Sequence, residues 1–115
     1  MSENYRSPGK TTLAPEVLLT ITKMSAQSVD GVSRLATIPG GFDRIFKTGA
    51  DNGVQMTIED GLVYIDLYII LKKDFNIREV SRNIQIHVTR AISEMVGMEV
   101  GHVNIHIEDI EYKDE

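Results

Sequence analysis

Residues 62 to 71 read Leu-Val-Tyr-Ile-Asp-Leu-Tyr-Ile-Ile-Leu. Their period-two alternation sends Val63, Ile65, Leu67, Ile69 and Leu71 to one face of a strand and Tyr64, Asp66, Tyr68 and Ile70 to the other. The first face reads as core and the second as surface. Just upstream, Val54, Met56 and Ile58 alternate with Gln55, Thr57 and Glu59, and Asp60-Gly61 supplies the positive φ angles of a tight hairpin turn. Beyond the strand the period changes from two to that of a helix, with Ile77, Val80, Ile84, Val88, Ala91, Ile92 and Met95 forming an apolar stripe. Asn76, with Glu79 three residues on, opens this helix in a capping-box arrangement, and Gly97 caps it after Val96. A last strand, Val103 to Ile110, alternates Val103, Ile105 and Ile107 with His102, Asn104, His106 and Glu108.

The first half is less regular. Residues 1–9 are polar with Pro8 and Gly9 and read as a flexible arm, and Lys10 to Ala14 read as a short edge strand. Pro15 and Glu16 suit the first turn of a helix, which Val17, Leu18, Ile21, Met24 and Ala26 continue to about residue 29, before Asp30-Gly31 ends it. Val32 to Ile38 reads either as a short strand or as an extended exit. Glycines, Asp and Asn then dominate as far as Gly53. Phe42, Ile45 and Phe46 suggest a helical turn over residues 42–47 that pins this loop to the core. Residues 111–115 form a charged tail expected to fray. The elements suggest one domain over residues 10–110 of α+β class and βαββαβ order. Two helices pack on one face of a small mixed sheet whose other face is open, and the long helical crossover implies a parallel pair of strands.

Composition narrows the chemistry. At 115 residues the chain suffices for one core burying roughly two thirds of its unfolded surface. Twelve Lys and Arg against seventeen Asp and Glu leave a net charge of −5, a field that repels nucleic acid and anionic headgroups. With no cysteine there is no disulfide, thiolate ligand or thiol nucleophile. No apolar run reaches signal-peptide or membrane-spanning length, so a cytoplasmic protein is expected, reaching a membrane only through a partner.

The polar and aromatic residues are compatible with four kinds of site. His102 and His106 lie about 13 Å apart along one strand at roughly 3.3 Å per residue, too far to ligate one ion, and His87 has no metal-binding spacing around it; neither metal nor cofactor is expected. Asp66 with Glu59 or Glu108 has the composition of an acid–base pair, but no nucleophile or oxyanion hole accompanies it, and no catalytic residue is assigned. Tyr64 and Tyr68 on an open sheet, with Arg78, Arg82 and Arg90 on the second helix, make nucleic-acid binding the alternative function. Against it stand the acidic charge and the placement of the arginines away from the tyrosine face. The reading preferred is a non-catalytic interaction or scaffold module. Its partner-binding face comprises Tyr64, Asp66, Tyr68, Ile70, His102, Asn104 and His106, and it takes a protein partner or a second copy.

The chain also resembles the alkaline shock protein family of bacterial envelope stress response proteins. The resemblance rests on Val29-Asp30-Gly31-Val32, Gly53-Val54, Val63-Tyr64-Ile65-Asp66-Leu67-Tyr68-Ile69, Asn76-Ile77-Arg78-Glu79-Val80 with Asn83-Ile84-Gln85, and Met95-Val96-Gly97-Met98-Glu99-Val100 with Val103-Asn104-Ile105-His106-Ile107. These pieces span roughly residues 9–110, and their order and spacing are more specific than any one of them. The resemblance implies a non-enzymatic, abundant cytosolic protein of Gram-positive-type bacteria concerned with cell-envelope homeostasis, in some members tethered to the membrane by a separate anchor protein. It carries over no catalytic residue. The chain departs from the commonest pattern between Ala36 and Asn52, where the segment Gly40 to Lys47 is expected to tune the choice of partner. It also lacks the long charged extensions of some members.

Overall fold

A computed structural model describes residues 8–37, 49–51 and 53–112. The elements, in chain order, are α1 (Pro15–Gln27), β1 (Val32–Leu35), β2 (Gly49–Asp51), β3 (Val54–Glu59), β4 (Leu62–Lys72), α2 (Ile77–Ala91), a π-helical turn (Ile92–Val96) and β5 (Glu99–Glu111). Five strands form one mixed sheet around β4. The hairpin turn at Asp60-Gly61, both with positive φ, lays β3 antiparallel along Leu62 to Leu67. β1 runs antiparallel to Ile69–Leu71, and β2 extends the sheet beyond β3. The α2 crossover returns the chain so that β5 runs parallel to β4 from Leu62 to Lys72. Since a strand has two edges and β5 takes one throughout, β3 and β1 share the other end to end. Gly53 sits at that junction: its φ is +81°, and a Cβ there would lie 2.6 Å from Leu35 Cβ and 2.9 Å from the Ala36 carbonyl.

The core is the layer between the helices and one sheet face. Val63, Ile65, Leu67, Ile69 and Leu71 of β4 are fully buried, as are Val54, Met56, Ile84, Val88 and Ile92, with Leu18, Leu19, Ala26, Val80 and Val103 completing the cluster. Each large aliphatic side chain so buried contributes about 1.5–3 kcal/mol. Both helices pack on this face, as the two-layer α+β reading expects.

Four departures from the sequence expectations have physical causes. Lys10 to Ala14 form no strand and are exposed, because Leu13 is their one large apolar residue and there is nothing to bury; β1 forms at the exit from α1 and β2 within the stretch read as loop, so the order is αββββαβ rather than βαββαβ. Within α1, Leu19 and Thr22 point inward while Val17 and Met24, the latter 63% exposed, point out; the Thr22 hydroxyl is satisfied by the Leu18 carbonyl at 2.8 Å. The second helix does not stay α-helical to Val96: the Gly97 N–H reaches back five residues to the Ile92 carbonyl, which makes the last turn π, and Met95 is exposed there, as Ile77 is at the other end. Glu111 does not fray: its carbonyl accepts from the Lys73 N–H at 3.0 Å, and its carboxylate accepts from the Ser33 hydroxyl and from Arg34 at 3.3 Å. The start of α2 follows expectation, with Asn76 Oδ1 accepting from the Glu79 N–H at 2.9 Å. The expected helical turn over 42–47, the partner-tuning segment Gly40 to Lys47, most of the N-terminal arm and the last three residues lie outside the described residues. No helix among the described residues is long and apolar enough to cross a membrane.

Candidate interaction surface on the open sheet face

The face of β4 away from the helices is arranged by its parallel register with β5. Tyr64 lies beside His102, Asp66 beside Asn104 and Tyr68 beside His106. Side chains directly opposite each other on neighbouring strands are close enough to interact, and here they do so as aromatic pairs. The rings of Tyr68 and His106 stack with centroids 4.5 Å apart and planes 13° from parallel; those of Tyr64 and His102 are 5.0 Å apart and tilted by 58°. Between the pairs, Asp66 Oδ1 lies 2.9 Å from His106 Nε2 and accepts from Asn104 Nδ2 at 3.2 Å. The structure thus joins six of the seven residues singled out from the sequence into one ladder.

Ile70 is the exception. It lies on the same face but is only 9% exposed. Arg34 is its register partner on β1, and Arg34 pairs with Glu111 of β5, on the opposite edge of β4. The ion pair therefore crosses β4 near Ile70, which offers little surface to a partner.

Two features of this surface were not singled out from the sequence. Tyr64 is seated over Gly101, where a Cβ would stand 2.3 Å from Tyr64 Cε1. The register slips by one residue there, between Val100 and His102, so a bulge and a missing side chain together make room for the ring. The second feature is an open concavity of ≈ 390 Å³ lined by Gln55, Thr57, Glu59, Tyr64, Asp66 and His102. Thr57 pairs with Tyr64 and Gln55 with Asp66, a register that the Asp60-Gly61 turn and the alternation of β3 together imply. Glu59 lies in the same concavity as Asp66, while Asp66 Oδ1 is held by an imidazole and an amide rather than by a second carboxylate. The Tyr68 hydroxyl is pushed above its ordinary pKa, first by partial desolvation and then by the negative charges of Asp66 and Glu108.

The alkaline shock protein 23 family, described as having a cell envelope-related function, has a sequence model that matches residues 3–112. The chain belongs to that family. Among relatives, the uncharacterized protein YqhY of Bacillus subtilis (strain 168) is 28% identical over 106 residues, which cover 90% of this chain and 78% of YqhY. The uncharacterized protein Spy1535 of Streptococcus pyogenes serotype M6 is 35% identical over 103 residues, covering 89% of this chain and 79% of the relative. A solved structure described as the copper form of the MamM CTD superposes with a TM-score of 0.53 at 13% identity, covering 87% of this chain and 90% of that one. At such low identity the likeness extends to the fold alone. Within the alkaline shock protein 23 family, this chain therefore carries its Tyr–His ladder on a two-layer α+β frame whose helices cover the opposite face.

Proposed function

We propose that this family member is a non-catalytic interaction module of the bacterial cytoplasm that engages a protein partner through the open sheet face, close to the cell envelope. The observation that carries the reading is the ladder of Tyr64–His102, Asp66–Asn104 and Tyr68–His106. Its side chains hold one another in place, so a partner meets a surface with little conformational entropy left to lose. Tyrosine and histidine in such an array offer apolar rings with polar tips, a mixture that suits protein contact. The family description supports the envelope connection. A membrane-anchored partner would bring a chain without a spanning helix among its described residues to the envelope.

The test is a crosslinked capture of the tagged protein from its host, with soluble and membrane fractions analysed separately, run in parallel with a Tyr64→Ser/Tyr68→Ser variant. The expected result is a protein recovered by the wild type and lost by the variant, with unchanged circular dichroism. Equal recovery by a folded variant would sink the reading, and recovery of nuclease-sensitive RNA or DNA in place of protein would replace it with nucleic-acid binding.

A further inference from the structure

The outer edge of β5 is the second surface the fold leaves open. Among the described residues no strand pairs with it, although β5 is 13 residues long. The direction of its backbone groups follows from β4. Tyr68 turns both its amide groups toward β3 and β1, its N–H to the Gly53 carbonyl at 2.9 Å and its C=O to the Ala36 N–H at 2.7 Å. The odd-numbered residues of β4 therefore turn theirs toward β5. In a parallel ladder this binds His102, Asn104 and His106 to β4 and leaves Val103, Ile105 and Ile107 with both N–H and C=O directed outward. The Gln85 side chain agrees with this direction, since its Nε2 donates at 2.9 Å to the Val103 carbonyl, a group that the ladder with β4 leaves unused. The segment is bounded by register slips at Gly101 and Glu108, and between them the alternation is regular. Its core-side residues Ile105 and Ile107 are only partly buried, so apolar surface remains at the edge.

We propose that this edge pairs antiparallel with the same edge of a second copy, about a two-fold axis through Ile105 and perpendicular to the sheet. The segment is self-complementary in that register. Ile105 faces itself, Val103 faces Ile107 of the second copy, and these are the residues whose backbone groups point outward, so each can exchange N–H···O=C bonds with its opposite. On the open face Asn104 meets His106 of the second copy and His102 meets Glu108 of the second copy, an imidazole opposite a carboxylate, with no like charges directly opposed between His102 and Glu108. The Val103 carbonyl has a second lone pair, so the Gln85 contact does not preclude the new bond. A two-fold perpendicular to the sheet keeps both helix layers on one side and joins the two Tyr–His ladders into one wider face, a closed isologous arrangement.

The pairing is tested by sedimentation over a wide concentration range, comparing wild type with Ile105→Pro. Proline removes an N–H that the monomer does not use in its own ladder, a position where edge strands tolerate it. A second variant, Ile105→Cys, places thiols on directly opposed residues about 5.5 Å apart at Cα, within the span of a disulfide, in a chain that otherwise has no cysteine. The expected results are a dimeric wild type, a monomeric Ile105→Pro with unchanged circular dichroism, and a disulfide-linked Ile105→Cys dimer on mild oxidation, with Thr57→Cys on β3 staying unlinked. A monomeric wild type overturns the proposal, as does a dimer that a folded Ile105→Pro leaves intact. If Ile105→Pro fails to fold, the Ile105→Cys crosslink decides, and its absence overturns the pairing. The open-face variant Tyr64→Ser/Tyr68→Ser should still dimerise, which separates this proposal from the partner-binding reading.

Discussion

His106 Nε2 and Asp66 Oδ1 lie 2.9 Å apart although the two residues are diagonal, not direct, neighbours in the β4–β5 ladder. An ionised carboxylate only accepts, so Nε2 carries the proton in this contact, and the imidazole is thereby oriented for its stack on Tyr68. The pair is partly solvated, with side-chain exposures of 41% and 32%, so its contribution to stability is small. His106→Phe, which keeps a ring against Tyr68 but removes the hydrogen bond, should lose about 0.5 kcal/mol in urea unfolding. His106→Ala should lose more, because the stack goes too. Equal losses for the two variants would show that the ring contributes nothing.

Gly101→Ala tests the seat of Tyr64. The added methyl would stand 2.3 Å from Cε1 and 2.8 Å from Cδ1 of that ring, so the ring must swing off the strand and leave His102. The expected cost is about 1–2 kcal/mol, typical of overpacking that a side chain can partly relieve. In a Tyr64→Ala background the same substitution should cost much less, and urea unfolding of the double-mutant cycle measures that coupling.

Gly53→Ala should be the more damaging change. Its positive φ strains any residue with a Cβ, and the neighbours met are the Leu35 Cβ and the carbonyls of Ala36 and Tyr68, none of which can rotate away. A loss of more than about 2 kcal/mol is expected from strain and overlap together. Gly61 has nearly the same φ, +80°, but open space around it, so Gly61→Ala should cost only about 1 kcal/mol. Thermal denaturation of the two variants side by side separates backbone strain from crowding at the β1–β3 junction.

Tyr68 supplies a pH dependence. Its pKa in the folded protein is raised above the ordinary value by burial and by Asp66 and Glu108, so the folded state holds the phenolic proton more tightly than the unfolded chain does. The associated stability is complete below pH of about 10, the ordinary tyrosine pKa, and is lost as pH climbs from there through the raised folded value. Phenolate absorbance should show one of the four tyrosines ionising late, and Tyr68→Phe should remove that late component. Asp66→Asn should bring it earlier without abolishing it, because desolvation is the larger cause. Identical titration curves for wild type and Tyr68→Phe would contradict the assignment.

Much of the sheet was legible along the chain because its determinants are local. Alternation assigns the faces of β4 and the middle of β5, Asp60-Gly61 demands the hairpin, and Asn76 with Glu79 marks the start of α2. Once the parallel crossover is inferred, Tyr64, Asp66 and Tyr68 must share a face with His102, Asn104 and His106. What periodicity cannot convey is a choice made between distant segments. The burial of Ile70 goes with a bridge from Arg34 to Glu111, 77 residues apart, and the seat of Tyr64 depends on a one-residue slip at Gly101 in the neighbouring strand. Apolar side chains surround much of α1, so local pattern allows more than one rotation of the helix, and packing against α2 and the sheet selects the one that buries Leu19 and Thr22 and leaves Met24 outside. The sequence by itself determined the β3–β4 hairpin, the start of α2 and the inward faces of β4 and β5, because backbone periodicity and turn chemistry act over a few residues. Only the tertiary structure decided the register slips of β5, the pairing of β1 and β2 and the rotation of α1, because these minimise the energy of contacts between segments that no local pattern brings together.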